Sequence, residues 1–357
     1  MRVAIIRVSA LGDVIISASF LHAFKEALES KFDIKQKDGL MIEWFVDVRF
    51  SGVLENSPCI TKLHALPFKK LFRSLGGILE LRRYCKSCKS FDYVIDAQGL
   101  IKSSLIGKFL DSKNFIGFDK ASSRESLASF FYKTKVHIPY KENILVRNKT
   151  VLFNPFGINI DVSKALSNHK LSFGCNIPKA KEVLKEALSA LEEEASFKVL
   201  FVLETSKATK TYPIESFLNL AKLLGSFKNI SIFLIWHDDE ERARRLFTSL
   251  QDSKLKATLL PSMDFNAIKY LISSMECVIG GDTGITHLAW ALNSPSITLF
   301  GNVESGLSGS NLSKTPLSRV LLRGEKNLYV SNKTKVFGVE SIEPSKVYET
   351  FKQIYLT

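Results

Sequence analysis

CVIGGDTGITHLAWALNSPSITLFG (Cys277–Gly301) is the stretch whose reading decides the fold. An apolar run closes on Gly280-Gly281, a polar Asp-Thr-Gly turn follows, and a helical pattern runs from about Ile285 to a Pro-bounded second apolar run, SITLFG. Buried strands alternating with helices predict a parallel sheet. The same alternation continues upstream. KVLFVLE, a helix from about Ile214, ISIFLIW, a helix from about Glu240, ATLLP and a helix from about Phe265 lead into Cys277. Together they predict a doubly wound parallel-sheet domain.

The first half has the same rhythm. VAIIRV reads as a buried strand and SALGD as a turn, after which Val14, Ala18, Leu21, Phe24 and Leu28 recur at helical spacing. MIEWFVDV, YVIDAQG and NFIGFD are further strands, separated by helical or basic segments. The polar stretch GINIDVSKALSNHKLSFGCNIP (157–178) interrupts the pattern and reads as a linker. The organisation predicted is therefore α/β, with one Rossmann-like domain over 1–165 and a second over 175–340. A closing helix in 341–357, carrying Val347, Phe351 and Ile354 on one face, is expected to pack back on the first domain. Ligands of open α/β sheets bind at the carboxyl ends of the strands, so the functional residues are sought there, in a cleft between the domains.

Composition narrows the class. No uncharged apolar run of roughly 18 residues occurs, so no transmembrane helix is expected. The first apolar run is broken by Arg7 and Asp13, unlike a signal peptide, and a cytoplasmic protein is expected. Five cysteines in no regular framework fit a reducing compartment, and Cys85-Lys-Ser-Cys88 lacks the second ligand pair of a zinc site. Between Thr61 and Thr150 there are 18 Lys+Arg against 7 Asp+Glu, so this segment supplies most of the formal +13. Such a field attracts a polyanion: nucleic acid, an anionic membrane surface or a phosphorylated acceptor. None of the usual nucleic-acid-binding signatures is present.

Three chemistries could use Asp282-Thr283-Gly284. An aspartic protease needs two facing carboxylates in a β-rich setting, and the chain has a single Asp-Thr-Gly in an α/β setting. Asp282 as a plain N-cap, with His287 packed one turn inside, is the bland alternative. The third reading is an anion site. Gly280 and Gly281 let backbone approach a ligand, and the N–H groups of residues 283 to 286 face it with the positive end of a helix dipole. The chain contains neither G-x-G-x-x-G nor G-x-x-x-x-G-K-[ST], so dinucleotide and P-loop cradles are missing. ETSKATKTYP offers hydroxyls at Thr205 and Ser206 and a cation at Lys210 on the same carboxyl edge, enough to hold a nucleotide diphosphate without metal. Asp13, after Gly12 at a helix start, is either an N-cap or a general base for an alcohol. A non-catalytic nucleotide-sugar-binding module would keep the second-domain residues and have no use for Asp13.

RVSALGDVI, YVIDAQGLIKSS, SSRESLASFFY, LPSMDF and GGDTGITHLAWALNSPSITLFG, in this order and spacing, resemble the lipopolysaccharide heptosyltransferases, glycosyltransferase family 9 of the metal-independent GT-B class. The resemblance covers nearly the whole chain. It is strongest to the members that add the first heptose, the alternative being a member that adds a later one. It implies inverting transfer of L-glycero-D-manno-heptose from ADP-heptose to the Kdo of Kdo-lipid A, without cofactor or metal, by a peripheral enzyme at the inner membrane. Carried over, Asp13 is the catalytic base. Gly12, Thr205, Ser206, Lys210, Met263, Asp282, Thr283, Gly284 and His287 serve the donor, with Glu240 the better of three candidates, beside Asp239 and Glu241, for the ribose. Lys69 or Lys70, Lys102, Arg124 and Arg147 meet the acceptor's phosphates and carboxylate. The chain departs from the family pattern at Tyr212, where Trp is usual, at Glu204, where a small residue is usual, and at Asn143, where His is usual.

Overall fold

The computed structural model describes residues 1–36, 39–193, 196–226, 229–301, 317–322, 324–331 and 338–355. It divides into two compact units, Met1–Gly174 and Cys175–Thr357. The first is built on β1 (Arg2–Ile6), β2 (Met41–Asp47), β3 (Lys62–Leu66), β4 (Phe91–Asp96), β5 (Ser112–Phe118) and β6 (Thr134–Val136). These pair in the order β3-β2-β1-β4-β5-β6, every pair parallel. The second holds β7 (Phe197–Val202), β8 (Ile230–Ile235), β9 (Lys256–Leu259), β10 (Cys277–Gly281), β11 (Ser296–Phe300) and β12 (Asn327–Ser331). Its order is β12-β11-β10-β7-β8-β9, again all parallel. In each sheet the winding direction reverses beside the unit's first strand, between β1 and β4 and between β7 and β10. Crevices at such reversals are where α/β sheets bind ligands.

The strands form where the sequence is apolar and β-branched, and the central ones are buried on both faces. Val3 to Ile6 and Cys277 to Ile279 are fully buried, as a sheet covered by helices on both sides requires. The sequence pattern passes over β3, β6 and β12. All three are edge strands, short and carrying polar or charged residues, so they lack the continuous apolar run that marks a central strand.

Three expectations need correction. The helical pattern from Val14 to Leu28 is two helices, Leu11–Ala18 and Leu21–Lys31, separated by a tight turn in which Phe20 N–H donates to Ser17 O. Ser19 and Phe20 keep near-helical dihedrals, which is why the period survives the break. The polar stretch after Gly157 is not a free linker. Ser172 Oγ accepts the His22 N–H at 3.0 Å, Ser57 Oγ donates to Ser172 O at 2.6 Å, and a Cβ on Gly174 would lie 1.7 Å from Asn56 O. These contacts extend the first unit beyond residue 165, to Gly174. The closing helix, Pro344–Tyr355, was expected on the first domain; its apolar face instead belongs to the second unit's core. Val347 and Phe351 are fully buried among Phe201, Phe217 and Leu220, and Phe351 and Tyr355 meet Phe197 edge-on.

Candidate active site

In the second unit the carboxyl ends of β7 and β10 are drawn together by two glycines. A Cβ on Gly280 would lie 2.6 Å from Val202 Cβ, and one on Gly281 would lie 2.0 Å from Lys210 O and 2.9 Å from Thr205 Cγ2. The glycines therefore admit neighbouring protein chain, not a ligand as their sequence context suggests. Their effect is to seat the loop carrying Thr205 and Lys210 directly on the Asp282 turn.

Asp282 sits between two basic side chains. Lys210 Nζ pairs with its Oδ2, and His287 Nε2 lies 3.0 Å from its Oδ1. Burial alone would raise this carboxyl's pKa, but the hydrogen bond and charge of His287 and the charge of Lys210 outweigh it and hold the group far below the usual carboxylate range. Asp282 is thus a fixed anion. An ammonium has three protons, so Lys210 keeps donors for a second anion while its position is set by the first.

The helix Gly284–Ala291 starts on Thr283, whose N–H donates to Thr286 Oγ1 at 3.2 Å. The opening amides of a helix have no intrahelical acceptor. The Thr286 hydroxyl takes that of Thr283, leaving those of Gly284, Ile285 and Thr286. This amends the sequence expectation that all four amides from 283 to 286 are offered to a ligand. Thr205 Oγ1 donates to Lys207 O at 2.7 Å and lies 2.9 Å from Thr211 Oγ1, so it orders its own loop, whereas Ser206 is exposed.

Beside this turn the loop after β8 forms a ring of amides. His237, Asp238 and Asp239 N–H groups all donate to the Glu204 carboxylate, at 3.1, 3.0 and 3.0 Å. Among the three ribose candidates, Asp239 caps the helix Glu240–Asp252 through Arg242 N–H and Glu240 pairs with Arg244 one turn on, while Glu241 is exposed. Met263 is half-buried in the loop after β9, whose Leu260 carbonyl accepts the Trp236 indole N–H.

In the first unit, Asp13 lies in the first turn of the helix Leu11–Ala18, directly after β1. Its Oδ2 is 3.0 Å from Arg7 Nη2, and its side chain is 42% exposed. Arg7 is itself buried and also donates from Nη1 to Ala97 O at 2.6 Å. The loop after β4 is bound to the loop after β1 a second time, Val8 N–H donating to Gln98 Oε1 at 2.8 Å. Behind both, Asp96 is fully buried and accepts from Tyr132, Ser103 and the amides of Gln98 and Gly99. The two switch-point loops of this unit are thereby one hydrogen-bonded assembly that fixes Asp13.

The family model for glycosyltransferase family 9 (heptosyltransferase) matches residues 78–320. Lipopolysaccharide heptosyltransferase 1 of Campylobacter coli is 35% identical over 99% of each chain. The chain belongs to glycosyltransferase family 9. The family 9 fold is also what the solved structures show. E. coli heptosyltransferase WaaC with ADP superposes with a TM-score of 0.75 at 23% identity, over 99% of this chain and 100% of that one. The same enzyme with ADP-2-deoxy-2-fluoro heptose gives 0.72, over 99% of both chains. The chain is a glycosyltransferase with the GT-B fold.

For this family 9 chain the remaining expected residues divide. Lys69, Lys70, Lys102 and Arg124 are exposed and follow β3, β4 and β5, at the carboxyl edge of the first sheet. Gly12 is half-buried beside Asp13. Arg147 is not at the surface. It is 5% exposed, donates to the carbonyls of Ser122, Ile138 and Pro139, and packs over the rings of Phe118 and Tyr140. Its guanidinium is a clamp on the loops flanking β6 and not a free cation for an acceptor. Asn143, where the family has His, caps the helix Ile144–Phe153 that carries Arg147 through Leu145 N–H, and Tyr212 donates to Ile342 O from a fully buried site.

Arg7, Gln98 and Glu204 are the site residues that sequence reasoning missed. Arg7 carried a signal, a charge inside an apolar strand run, and Glu204 carried another, an acid where the family has a small residue. Gln98 carried none, because nothing local says that its amide reaches Val8. Cys85 lies in the last turn of the helix Leu75–Ser87 and faces the core, Cys88 follows the helix half-buried, and burial pushes the Cys85 thiol up to about 12, as inert thiols require.

Proposed function

We propose that the chain transfers L-glycero-D-manno-heptose from ADP-heptose to a hydroxyl of Kdo on Kdo-lipid A, with inversion and without metal, in assembly of the lipopolysaccharide inner core. The observation that carries the reading is the Lys210–Asp282–His287 arrangement at the start of the helix Gly284–Ala291. A diphosphate leaving group develops negative charge as the glycosidic bond breaks. An oriented ammonium and the amides of Gly284 and Ile285 stabilise that charge in place. The names of the family 9 relatives support the sugar, and the E. coli enzyme solved with ADP-2-deoxy-2-fluoro heptose supports the nucleotide.

The acceptor oxygen attacks the anomeric carbon opposite the leaving group, the bond from that carbon to the diphosphate oxygen breaks, and ADP departs. Asp13 takes the acceptor's hydroxyl proton. A single displacement inverts the centre, by the geometry that separates inverting from retaining glycosidases. Arg7 keeps the Asp13 carboxylate oriented, and the exposed Lys69, Lys70, Lys102 and Arg124 bind the acceptor's anionic groups. The lipid acceptor brings the enzyme to the cytoplasmic leaflet of the inner membrane. No described helix is long and apolar enough to cross a membrane, and the basic first unit docks reversibly.

The test is to incubate the protein with ADP-heptose and a panel of Kdo-lipid A acceptors in EDTA and weigh the products. One added heptose on an unheptosylated acceptor, with ADP released, is the expected result. Transfer only to an acceptor already carrying heptose would assign a later step, and ADP release without transfer would refute the reading.

A further inference from the structure

One layer of the first unit buries its inner side normally and leaves apolar side chains on its outer side. The helices Phe68–Leu71, Leu75–Ser87 and Ile101–Phe109 and the short helix Ser126–Phe131 pack side by side. Phe68, Leu71, Leu81, Cys85, Ile106 and Ala128 point into one core cluster against the sheet. On the opposite side Leu75 is 81% exposed, Phe130 72%, Leu127 58%, Leu79 51% and Ile101 39%.

These side chains share a surface. Leu75 and Leu79 are one helical turn apart on the solvent stripe of Leu75–Ser87, and Leu127 and Phe130 align because their helix turns about every three residues. Lys102 Nζ sits 5.6 Å from the ring centroid of Phe72, joining the start of Ile101–Phe109 to the chain just before Leu75. Ile101 N–H donates to Glu125 Oε2 at 2.7 Å, joining that same start to the chain just before Leu127. The apolar positions therefore form a band crossing three helices.

The charge around the band is mainly positive. The solvent stripe that begins with Leu75 and Leu79 continues as Arg82 and Lys86, with Arg83 beside it, all exposed. Lys102 and Arg124 flank Ile101 and Leu127. Two acids beside the band, Glu80 and Glu125, are exposed as well, and Glu125 accepts the Ile101 N–H.

We propose that this band is a membrane-docking face whose occupant is an anionic phospholipid bilayer: Leu75, Leu79, Leu127 and Phe130 enter the headgroup–acyl boundary, and Arg82, Arg83 and Lys86 meet lipid phosphates. Side chains exposed to this degree project from the surface and line no groove, which suits insertion between headgroups. The basic flank supplies the charge complementarity. The inference deepens the reading of the enzyme as one acting on a lipid-borne acceptor, and it places the lipid contact on side chains that take no part in the transfer.

The experiment uses the full chain and vesicles of phosphatidylcholine with or without phosphatidylglycerol, free of any acceptor. Phe130→Trp provides a depth probe, since the native Trp44 and Trp290 are buried and Trp236 half-buried. Its emission should shift to the blue on anionic vesicles only, and Leu75→Ser with Leu79→Ser should weaken sedimentation with those vesicles by roughly tenfold. Transfer to a short, soluble Kdo acceptor should be unchanged in that double variant, which also reports folding. Wild-type sedimentation of the double variant, or an unshifted emission from the Phe130→Trp variant, would overturn the docking face while leaving the transfer reading intact. Self-association that disappears in the double variant would overturn it in favour of a second copy of the chain. Loss of soluble-acceptor transfer by the wild-type protein would instead count against the proposed reaction.

Discussion

The two units repeat one strand order, and each sets an aspartate at the start of the helix that follows a switch-point strand, yet the two carboxylates are different chemical objects. Asp13 is 42% exposed and touches one cation, Arg7. Asp282 is 15% exposed and is held by two bases, Lys210 and His287, which keep it ionised far below the carboxylate range despite its burial. An acid that stays ionised near neutral pH and is already held by two bases is a poor general base; it can fix the side chains around it. A partly open acid on a rigid support can accept a proton from a bound alcohol. Two aspartates at switch-point turns thus differ in the chemistry open to them through burial and the basic side chains in contact.

The largest effect is expected from removing the fixed anion. Asp282→Asn leaves Lys210 and His287 facing each other over a neutral amide. We expect a loss of about 2 kcal/mol, reduced from the roughly 3–5 of a fully buried pair because Lys210 is about one-third exposed. Isothermal titration should show ADP binding weakened by more than tenfold. The pH dependence sharpens the point. Because folding lowers the pKa of Asp282, its contribution to stability is present above the ordinary aspartate pKa of about 3.9 and is lost as the solution is acidified below it. Thermal melts of Asp282→Asn should therefore fall less steeply with acid than those of the wild type.

Gly281→Ala tests whether the two loops of the second unit must touch. The new methyl would sit on the Lys210 carbonyl, so the loop must move away from the Asp282 turn. A stability cost of about 2 kcal/mol is expected from such overpacking, read in a urea midpoint, together with a raised KM for the donor. The smallest effect expected is that of Glu204→Gln. The amide keeps one acceptor for the ring formed by residues 237–239 but loses the charge, which costs about 1 kcal/mol and raises donor KM a few-fold with kcat unchanged. A drop in kcat with unaltered KM would show that the ring acts on the chemistry and not on the donor.

Much of the fold was legible because the central strands are continuous apolar runs and the helices between them keep their period. What escaped was decided by distant partners. The edge strands β3, β6 and β12 take their identity from the neighbour they pair with, and the closing helix has an apolar face that does not say which core it joins. The site shows the same division. Asp13, Lys210, Asp282 and His287 announce themselves by type and by their place at turns. Arg147 looks identical in sequence to a free cation, and only the three carbonyls around it reveal a clamp. Glu204 appeared as a departure from the family pattern until the amides of a loop some thirty residues away were found on it.

In the proposed reaction the first unit supplies the proton acceptor and the second holds the donor, and kcat measured beside the donor dissociation constant for Asp13→Asn separates the two. The account predicts a fall in kcat of about 10²–10⁴-fold with donor affinity preserved. A turnover within a few-fold of wild type, with the donor still bound, would contradict it.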